Sequence, residues 1–283
     1  MAGDEPVPKK RKGFVFKPIL KPERQSQFPR FDKLVFETPT PSPPPDKVVK
    51  LLGTQGLFIG IDVETHQLAP RARSRGVEGK FGHWSADLGQ ACSNLRAVQV
   101  GWSFGPICDD RPTTKQRLVK PEGFCIDAGA TAKHGIAHER ALAEGHRVTD
   151  VLAEFLGDVS TILQNGGRLV AHNLTFDGDV LLSELARNGH GDKCDFWVEA
   201  VKAGVCTMSP AITHWVREMV GDVGVPYYVR MGLKEMVQLL LPARRAMLRQ
   251  HHDAGNDAEL HWLVCKELCR QARAVKAAPS PAG

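Results

Sequence analysis

The stretch from Leu169 to Leu182, LVAHNLTFDGDVLL, most narrowly limits the folds open to this chain. A short apolar run is followed by a polar turn at His172 and Asn173, and then by apolar residues at helical spacing. This pattern predicts a strand that passes directly into a helix. Asp177 lies in the first turn of that helix, where the helix dipole favours a carboxylate and where open α/β sheets bind ligands. A lone acidic residue here is usually only a helix cap, so the rest of the chain has to decide its role.

A pair of acidic residues follows the apolar run Leu57–Ile61, whose unbroken hydrophobicity is typical of a central strand covered on both faces. Asp62 and Glu64 come next. Alternate side chains of an extended segment lie on one face, so both carboxylates point toward the same side. This spacing alone occurs by chance, but its position at the end of a buried strand makes the pair a candidate for holding one cation.

A third polar cluster, residues 251–258, opens a C-terminal helix. The apolar face of this helix carries Leu260, Leu263, Val264 and Leu268. Asp257, near the helix start, can cap the helix and also reach a metal ion. His252, five residues earlier, is predicted to lie on the preceding loop. A polar surface loop would have the same composition, so this spacing decides nothing by itself.

Periodicity predicts further elements between these clusters. Alternating residues predict a strand at 97–102 and a hairpin partner at 116–119, joined by a turn at 109–112. An apolar stripe predicts an amphipathic helix at 148–163. A short strand at 204–206 and a helix at 233–241, closed by Pro242, complete the set.

The excess positive charge is confined to the N-terminus. Residues 1–50 hold 11 Lys and Arg against six Asp and Glu, together with ten of the 19 prolines, whereas residues 51–283 are balanced in charge. No periodic pattern persists there, so we expect a disordered basic tail. Its run Lys9–Lys12 resembles a nuclear localisation signal and predicts a nuclear protein; a solvated charge cluster in a cytoplasmic protein is the alternative.

Two other segments are also irregular. Residues 69–95 are rich in Gly, Ser and Arg without any period, which predicts a loop insertion. Residues 275–283 predict a disordered C-terminus. No apolar run approaches the roughly 20 residues that cross a bilayer, and no secretory signal is evident, so we expect an intracellular protein without membrane contact. The seven cysteines include no C-x-x-C pair, which favours reduced thiols over disulfides or a zinc site.

Taken together, the acidic clusters form a known pattern. D-x-E-T at 62–65, H-N-x-x-F-D at 172–177 and H-x-A-x-x-D-A at 252–258 resemble, in order, the three motifs of the DEDDh (DnaQ-like) 3′-5′ exonucleases. The H-G-I segment at 134–136 also matches. Asp253 stands where the sister DEDDy families carry tyrosine, which favours the histidine class. The resemblance implies an α/β, ribonuclease H-like three-layer fold with a mixed five-stranded sheet, over residues 51–274.

The resemblance also implies roles for individual residues. Two Mg²⁺ ions, for which Mn²⁺ substitutes, would be held by Asp62, Glu64, Asp177 and Asp257, with Asp62 bridging both. Carboxylate oxygens are the hard ligands that Mg²⁺ prefers. His252 would be the general base, because imidazole titrates near neutral pH. The residues expected around the terminal nucleotide are Thr65, His134, Asn173 and Phe176. His66 and Gln67 replace the usual small Thr-Gly step of the family, a change that would reshape the pocket for the 3′ end.

The implied function is a metal-dependent 3′-5′ exonuclease that hydrolyses phosphodiester bonds at 3′ ends of single-stranded nucleic acid and releases nucleoside 5′-monophosphates. DNA and RNA both stay open, because an RNA-specific enzyme must contact the 2′-hydroxyl and no residue indicates that contact. The alternatives are a non-catalytic nucleic-acid- or protein-binding module that retains the fold, and a structural adaptor. The complete set of four carboxylates and one histidine favours the enzyme. No protein partner is indicated.

Overall fold

The computed structural model of this protein describes residues 44–53, 56–68, 94–221 and 229–277. Most of the expected basic tail, including Lys9–Lys12, lies outside the described residues, as do residues 69–93 of the expected insertion and residues 278–283. The disordered tail, the loop insertion and the nuclear localisation therefore stay predictions.

The described elements follow one another in this order: α1 (Asp46–Leu52), β1 (Leu57–Thr65), β2 (Ala97–Pro106), β3 (Thr113–Leu118), α2 (Ala128–His134), α3 (His138–Glu144), α4 (Val148–Gln164), β4 (Arg168–Ala171), α5 (Leu174–Arg187), α6 (Cys194–Ala203), β5 (Val205–Cys206), α7 (Pro210–Met219), α8 (Leu233–Leu240) and α9 (Ala254–Ala277). Short 3₁₀ segments cover Gly191–Lys193 and Pro242–Gln250. None of the described helices is long and apolar enough to cross a membrane.

The five strands form one mixed sheet in the order β3-β2-β1-β4-β5. β1 pairs antiparallel with β2, which pairs antiparallel with β3, while β4 and β5 extend the sheet in parallel from the other side of β1. The α/β class and the mixed five-stranded sheet are thereby confirmed. β1 is central, as its apolar run predicts, and it continues to Thr65, so that Asp62 and Glu64 lie inside the strand.

Helices cover both faces of the sheet because β1 presents a different apolar set to each side. Ile59, Ile61 and Val63 belong to a core shared with α4, α5 and α6. Phe58 belongs to a second core shared with α1, α7, α8 and α9. Since alternate residues of a strand share a face, Asp62 and Glu64 lie on the side of α9. This arrangement confirms the three-layer prediction.

Agreement with the sequence prediction differs among the helices. The helix predicted at 148–163 is α4, and the helix predicted at 233–241 is α8. Helices α2, α3, α6 and α7 were not predicted from the sequence. Of these, α2 buries only Ala130 and α3 only Ala141, so neither has an apolar stripe. At the N-terminal boundary, α1 begins at Asp46 and buries Val48 and Leu52, so the folded unit starts slightly before residue 51.

Helix α9 packs directly on the backbone of β1 and β2. A Cβ atom at Gly101 would lie 2.0 Å from the carbonyl oxygen of Ala254, and one at Gly60 would lie 2.3 Å from that of Ala258. Both separations are far shorter than any real contact of a Cβ atom. Glycine at these two positions therefore allows the start of α9 to lie against the strand that carries Asp62.

Side chains of the sheet also bind the free amides at the start of α9. The N–H of Ala254 donates to Gln99 Oε1 at 2.9 Å, and the N–H of Gly255 donates to Gln116 Oε1 at 3.2 Å. The next amide, that of Asn256, donates to Asp253 Oδ1 at 3.0 Å. The first amides of a helix have no partner within the helix, so these bonds satisfy groups that would otherwise be buried unpaired. The position of α9 is thereby tied to β2 and β3.

We predict that Gly101→Ala destabilises the protein by about 2 kcal/mol or more, because overpacking a close contact typically costs 1–3 kcal/mol. Urea unfolding measures the effect. The matched control is Gly157→Ala in α4, where a Cβ atom would meet nothing within 4 Å. The control is expected to be neutral or stabilising by up to about 1 kcal/mol, since alanine favours helix. Equal stability of the two variants would show that the close contact does not matter.

Candidate metal centre and active site

Three carboxylates from β1 and α9 meet beside the C-terminal half of β1. One carboxylate oxygen from each of Asp62, Glu64 and Asp257 lies within 4.8 Å of the others. The strand alternation places the first two on one face, and the first turn of α9 brings the third. Hard oxygen donors at this spacing suit a divalent cation such as Mg²⁺. The structure thus brings together three of the four predicted metal ligands.

The fourth predicted ligand, Asp177, lies in the first turn of α5 and is only 3% exposed. Its Oδ1 accepts a hydrogen bond of 3.1 Å from the backbone N–H of Val63. This bond holds Asp177 against the part of β1 between Asp62 and Glu64. Among the described residues, Asp177 is not part of the three-ligand groups whose donor atoms lie within 4.8 Å of one another. Its negative charge nevertheless raises the pKa of Asp62.

Burial and mutual repulsion favour the protonated form of most of these groups. Burial, followed by the charges of Asp177 and Glu64, raises the pKa of Asp62 well above its ordinary value. Burial, followed by Asp257, raises the pKa of Glu64 to about 8, while the positive charge of Lys133 opposes that rise. Burial also raises the pKa of Asp177. A cation would relieve this repulsion, and it would have to displace the protons.

Asp257 differs because the hydrogen bonds that it accepts outweigh the effect of burial on its pKa. Burial raises the pKa of Asp257. The side chain of His251 and the backbone N–H of His252 lower the pKa by more, so it lies below its ordinary value. His251 Nδ1 and the amide of His252 lie 2.7 and 3.0 Å from Asp257 Oδ2. Asn256 Nδ2 donates to Asp257 Oδ1 at 3.2 Å. His251 belongs to the third polar cluster of the sequence but was not predicted to have a role, and its one available signal was its place beside His252.

His252, the predicted general base, lies on the edge of the carboxylate cluster. Its Nδ1 is 3.8 Å from Glu64 Oε1, and its ring stacks on that of His251 with centroids 3.8 Å apart. Burial, followed by the charges of His251 and Lys133, lowers the pKa of His252 to about 4. The imidazole is therefore neutral at pH 7, the form that can accept a proton. Its backbone φ of 73° is in the left-handed region, which non-glycine residues seldom adopt.

A further histidine, His261, also reaches the centre and was not identified from the sequence. It lies one turn after Asp257 on α9, is 1% exposed, and its Nδ1 is 2.8 Å from the carbonyl oxygen of Ile61. Its Nε2 is 4.0 Å from Asp62 Oδ1. Burial lowers the pKa of His261 to about 4. In the sequence, the signal for His261 is its spacing of four residues from Asp257, which places both residues on one face of the helix.

The four predicted nucleotide contacts fall into two pairs. His134 Nδ1 accepts the N–H of Ile136 at 3.0 Å, so its Nε2 carries the proton and donates to the carbonyl oxygen of Thr65 at 3.2 Å. Asn173 and Phe176 lie at the start of α5 beside Asp177. Asn173 has a left-handed φ of 87°, and Phe176 is partly buried against the core. Their contacts with a nucleotide stay predictions.

The departure from the family motif at His66 has a local structural explanation. His66 Nδ1 accepts the backbone N–H of Arg96 at 3.1 Å, and the ring packs edge-on against Phe124 with centroids 5.2 Å apart. The neighbouring Gln67 contributes its carbonyl oxygen as the acceptor for the Thr65 hydroxyl at 2.8 Å. The imidazole of His66 thus helps to hold the end of β1 in place, whereas Gln67 contributes only its backbone.

Asp179, two residues after Asp177, is a buried acidic group apart from the cluster. It is 1% exposed, and in the described part of the chain neither carboxylate oxygen has a hydrogen-bond partner. Burial raises the pKa of Asp179 to about 7. The ionised form is therefore unfavourable in the folded protein.

The mixed sheet with helices on both faces is a ribonuclease H-like fold, the class that the sequence motifs predicted. No protein-family model matches this chain, and no curated protein matches its sequence. Among solved structures, the zinc-bound form of the E. coli exonuclease I complex with single-stranded DNA matches with a TM-score of 0.53 and 15% identity, over 78% of this chain and 43% of that chain. The exonuclease I complex with a dA16 oligonucleotide matches with a TM-score of 0.54 and 15% identity, over 78% and 42%. This chain thus spans less than half the length of exonuclease I, and the likeness is one of fold.

We predict that Mg²⁺ raises the melting temperature, and more so at pH 8 than at pH 6. The raised pKa of Glu64, about 8, means that a proton competes with the cation at the lower pH. A cation at 100 times its Kd adds about 2.7 kcal/mol, or roughly 5–10 °C for a domain of this size. Thermal unfolding measures the shift.

Asp177→Asn is expected to weaken this response, whereas Asp195→Asn, at an exposed position of α6, is expected to retain it. A wild-type protein whose melting temperature ignores Mg²⁺ at both pH values would contradict a metal centre.

We also predict that Asp179→Asn stabilises the protein more at pH 8 than at pH 5. Because the folded-state pKa of about 7 exceeds the ordinary value of 3.8, the folded protein binds the proton more tightly and loses stability as the pH rises between these values. Removing the charge is expected to gain about 1–3 kcal/mol at pH 8. Urea unfolding at both pH values measures this. The same gain at pH 5 would show that charge burial is not its cause.

Proposed function

We propose that this protein is a divalent-metal-dependent 3′-5′ exonuclease of the DEDDh (DnaQ-like) family. It would hydrolyse phosphodiester bonds at the 3′ ends of single-stranded nucleic acid and release nucleoside 5′-monophosphates. The observation that carries this proposal is the meeting of Asp62, Glu64 and Asp257 within 4.8 Å, with His252 at their edge. The fold shared with exonuclease I supports it. A binding module would not need this set of groups.

The donor set fits Mg²⁺, with Mn²⁺ as a substitute. The facing donors of Asp62, Glu64 and Asp257 are carboxylate oxygens, and their shared burial leaves negative charge that a cation would compensate. We assign these three residues and Asp177 as ligands of two ions. When bound, such ions activate water and stabilise negative charge on the leaving oxygen. The zinc-bound form of exonuclease I also supports a metal centre in this fold.

The surrounding residues would orient these ligands and move the proton. The amide of Val63 fixes Asp177, and His251 fixes Asp257 through a bond of 2.7 Å. His252, neutral at pH 7, would accept a proton from the attacking water. Its place beside Glu64 puts it next to the proposed ligands. Proton transfer of this kind typically contributes 10²–10⁴-fold to the rate.

Single-stranded DNA is the first substrate that we propose, because exonuclease I has been solved in complex with single-stranded DNA oligonucleotides. RNA remains the alternative substrate. We place the terminal nucleotide between Thr65 and His134 on one side and Asn173 and Phe176 on the other, because these pairs adjoin Glu64 and Asp177. A nuclear location, through Lys9–Lys12, is proposed from the sequence alone.

The test is digestion of 5′-labelled single-stranded DNA and RNA oligonucleotides with Mg²⁺. We expect a ladder that shortens from the 3′ end and disappears with EDTA. Asp62→Asn and His252→Ala are each expected to lower the rate by at least about 100-fold, because one removes a metal ligand and the other removes the base. Mass spectrometry of the released product is expected to show nucleoside 5′-monophosphates.

The matched control is Asp195→Asn, which changes an exposed carboxylate of α6 and should leave the rate unchanged. If the wild type shortens neither strand with Mg²⁺ or Mn²⁺ but still binds the oligonucleotides, the non-catalytic binding module becomes the better description. A ladder that survives in His252→Ala would reject this histidine as the base.

A further inference from the structure

His261 has a role in the centre that the proposed nuclease motifs do not include. Its Nδ1 lies 2.8 Å from the carbonyl oxygen of Ile61, and a carbonyl oxygen only accepts hydrogen bonds. The proton of the neutral ring must therefore be on Nδ1. Nε2 is left with a lone pair and has no hydrogen-bond partner among the described residues. This nitrogen faces Asp62, the residue expected to bridge both ions.

The position of Nε2 matches that of a ligand atom. It lies 4.0 Å from Asp62 Oδ1. Nitrogen and oxygen ligands bind small divalent ions at about 2.0–2.2 Å, so two atoms that share one ion can be up to about 4.2 Å apart. The separation is too long for a hydrogen bond and short enough for both atoms to contact one ion. A proton on Nε2 would exclude this contact, and the bond to Ile61 keeps the proton on the other nitrogen.

His172, the histidine beside His261, has no ring nitrogen left to bind a metal ion. His172 lies beside His261, with ring centroids 6.5 Å apart. Its Nδ1 is 2.9 Å from the hydroxyl of Thr207, and its Nε2 is 2.9 Å from the carbonyl oxygen of Met231. Both nitrogens of His172 are therefore already engaged. In this pair, only His261 offers a free lone pair to the carboxylates.

We infer that His261 Nε2 is a nitrogen ligand of the divalent cation held by Asp62, and that it gives this centre a preference for Mn²⁺ over Mg²⁺. Mn²⁺ is the weakest binder of the first-row divalent series but still takes nitrogen as well as oxygen ligands, whereas Mg²⁺ keeps to carboxylate, carbonyl and water oxygen. Replacing one oxygen ligand by an imidazole therefore shifts selectivity toward Mn²⁺. The inference rests on the proposed metal centre and specifies which ion it favours.

The experiment is pulsed electron paramagnetic resonance of Mn²⁺ bound to the full chain, with no nucleic acid present. Electron spin echo modulation detects nitrogen directly bonded to Mn²⁺. We expect a nitrogen-14 coupling in the wild type that is lost in His261→Gln. Glutamine keeps a donor for the Ile61 carbonyl and supplies oxygen in place of nitrogen, so Mn²⁺ should still bind. The ratio of Mn²⁺ to Mg²⁺ affinity is expected to fall in this variant, because glutamine offers the ion only oxygen.

His252→Ala is the control, because the Nδ1 of His252 lies 3.8 Å from Glu64 Oε1 and is another nitrogen beside the carboxylates. It is expected to retain the nitrogen coupling. Bound Mn²⁺ without nitrogen coupling in the wild type, or a coupling that persists in His261→Gln, would overturn the inference while leaving the proposed nuclease intact. Failure of the wild type to bind Mn²⁺ at all would instead reject the metal centre, and the proposed function with it.

Discussion

The contact of helix α9 with the sheet is the constraint on which the site depends. Gly60 and Gly101 leave room for the helix backbone, and Gln99 and Gln116 bind its first amides. Without that approach, Asp257 would not meet the carboxylates of β1. The same contact buries the helix and assembles the centre, so packing and function are not separable here. A change that displaces the start of α9 also displaces Asp257 relative to Asp62 and Glu64.

The negative charge of the assembled centre opposes the stability of the folded state. Folding collects carboxylates in a buried place, and without a cation their raised pKa values favour protonation. Hydrogen bonds to the carboxylates reduce the cost of burying their charge, but to different extents. Val63 supplies one to Asp177, and His251 supplies a shorter one to Asp257. The stability of the folded state is therefore linked to pH, and the proposed ions would also link it to divalent cations through the same side chains.

Periodicity and motif order were enough to predict the central strand, the amphipathic helix α4 and the residues that meet in the cluster. Asp62 and Glu64 could be placed on one face because strand alternation is a local rule. Gln99 and His261 could not be found in this way, since each acts through a partner more than 150 positions away. Short helices such as α2, which bury a single alanine, have too few apolar residues to form a readable pattern.

The long separation between β1 and α9 has a consequence for synthesis. Ile61 and His261 are hydrogen-bonded across 200 positions of the chain. A growing chain therefore holds Asp62 and Glu64 long before the ribosome has made Asp257, and such distant contacts form late. An unfinished chain has two of the three converging carboxylates and no start of α9. The cation centre would thus be absent from every nascent form, and any cleavage of nucleic acid near the ribosome would wait for nearly the whole domain.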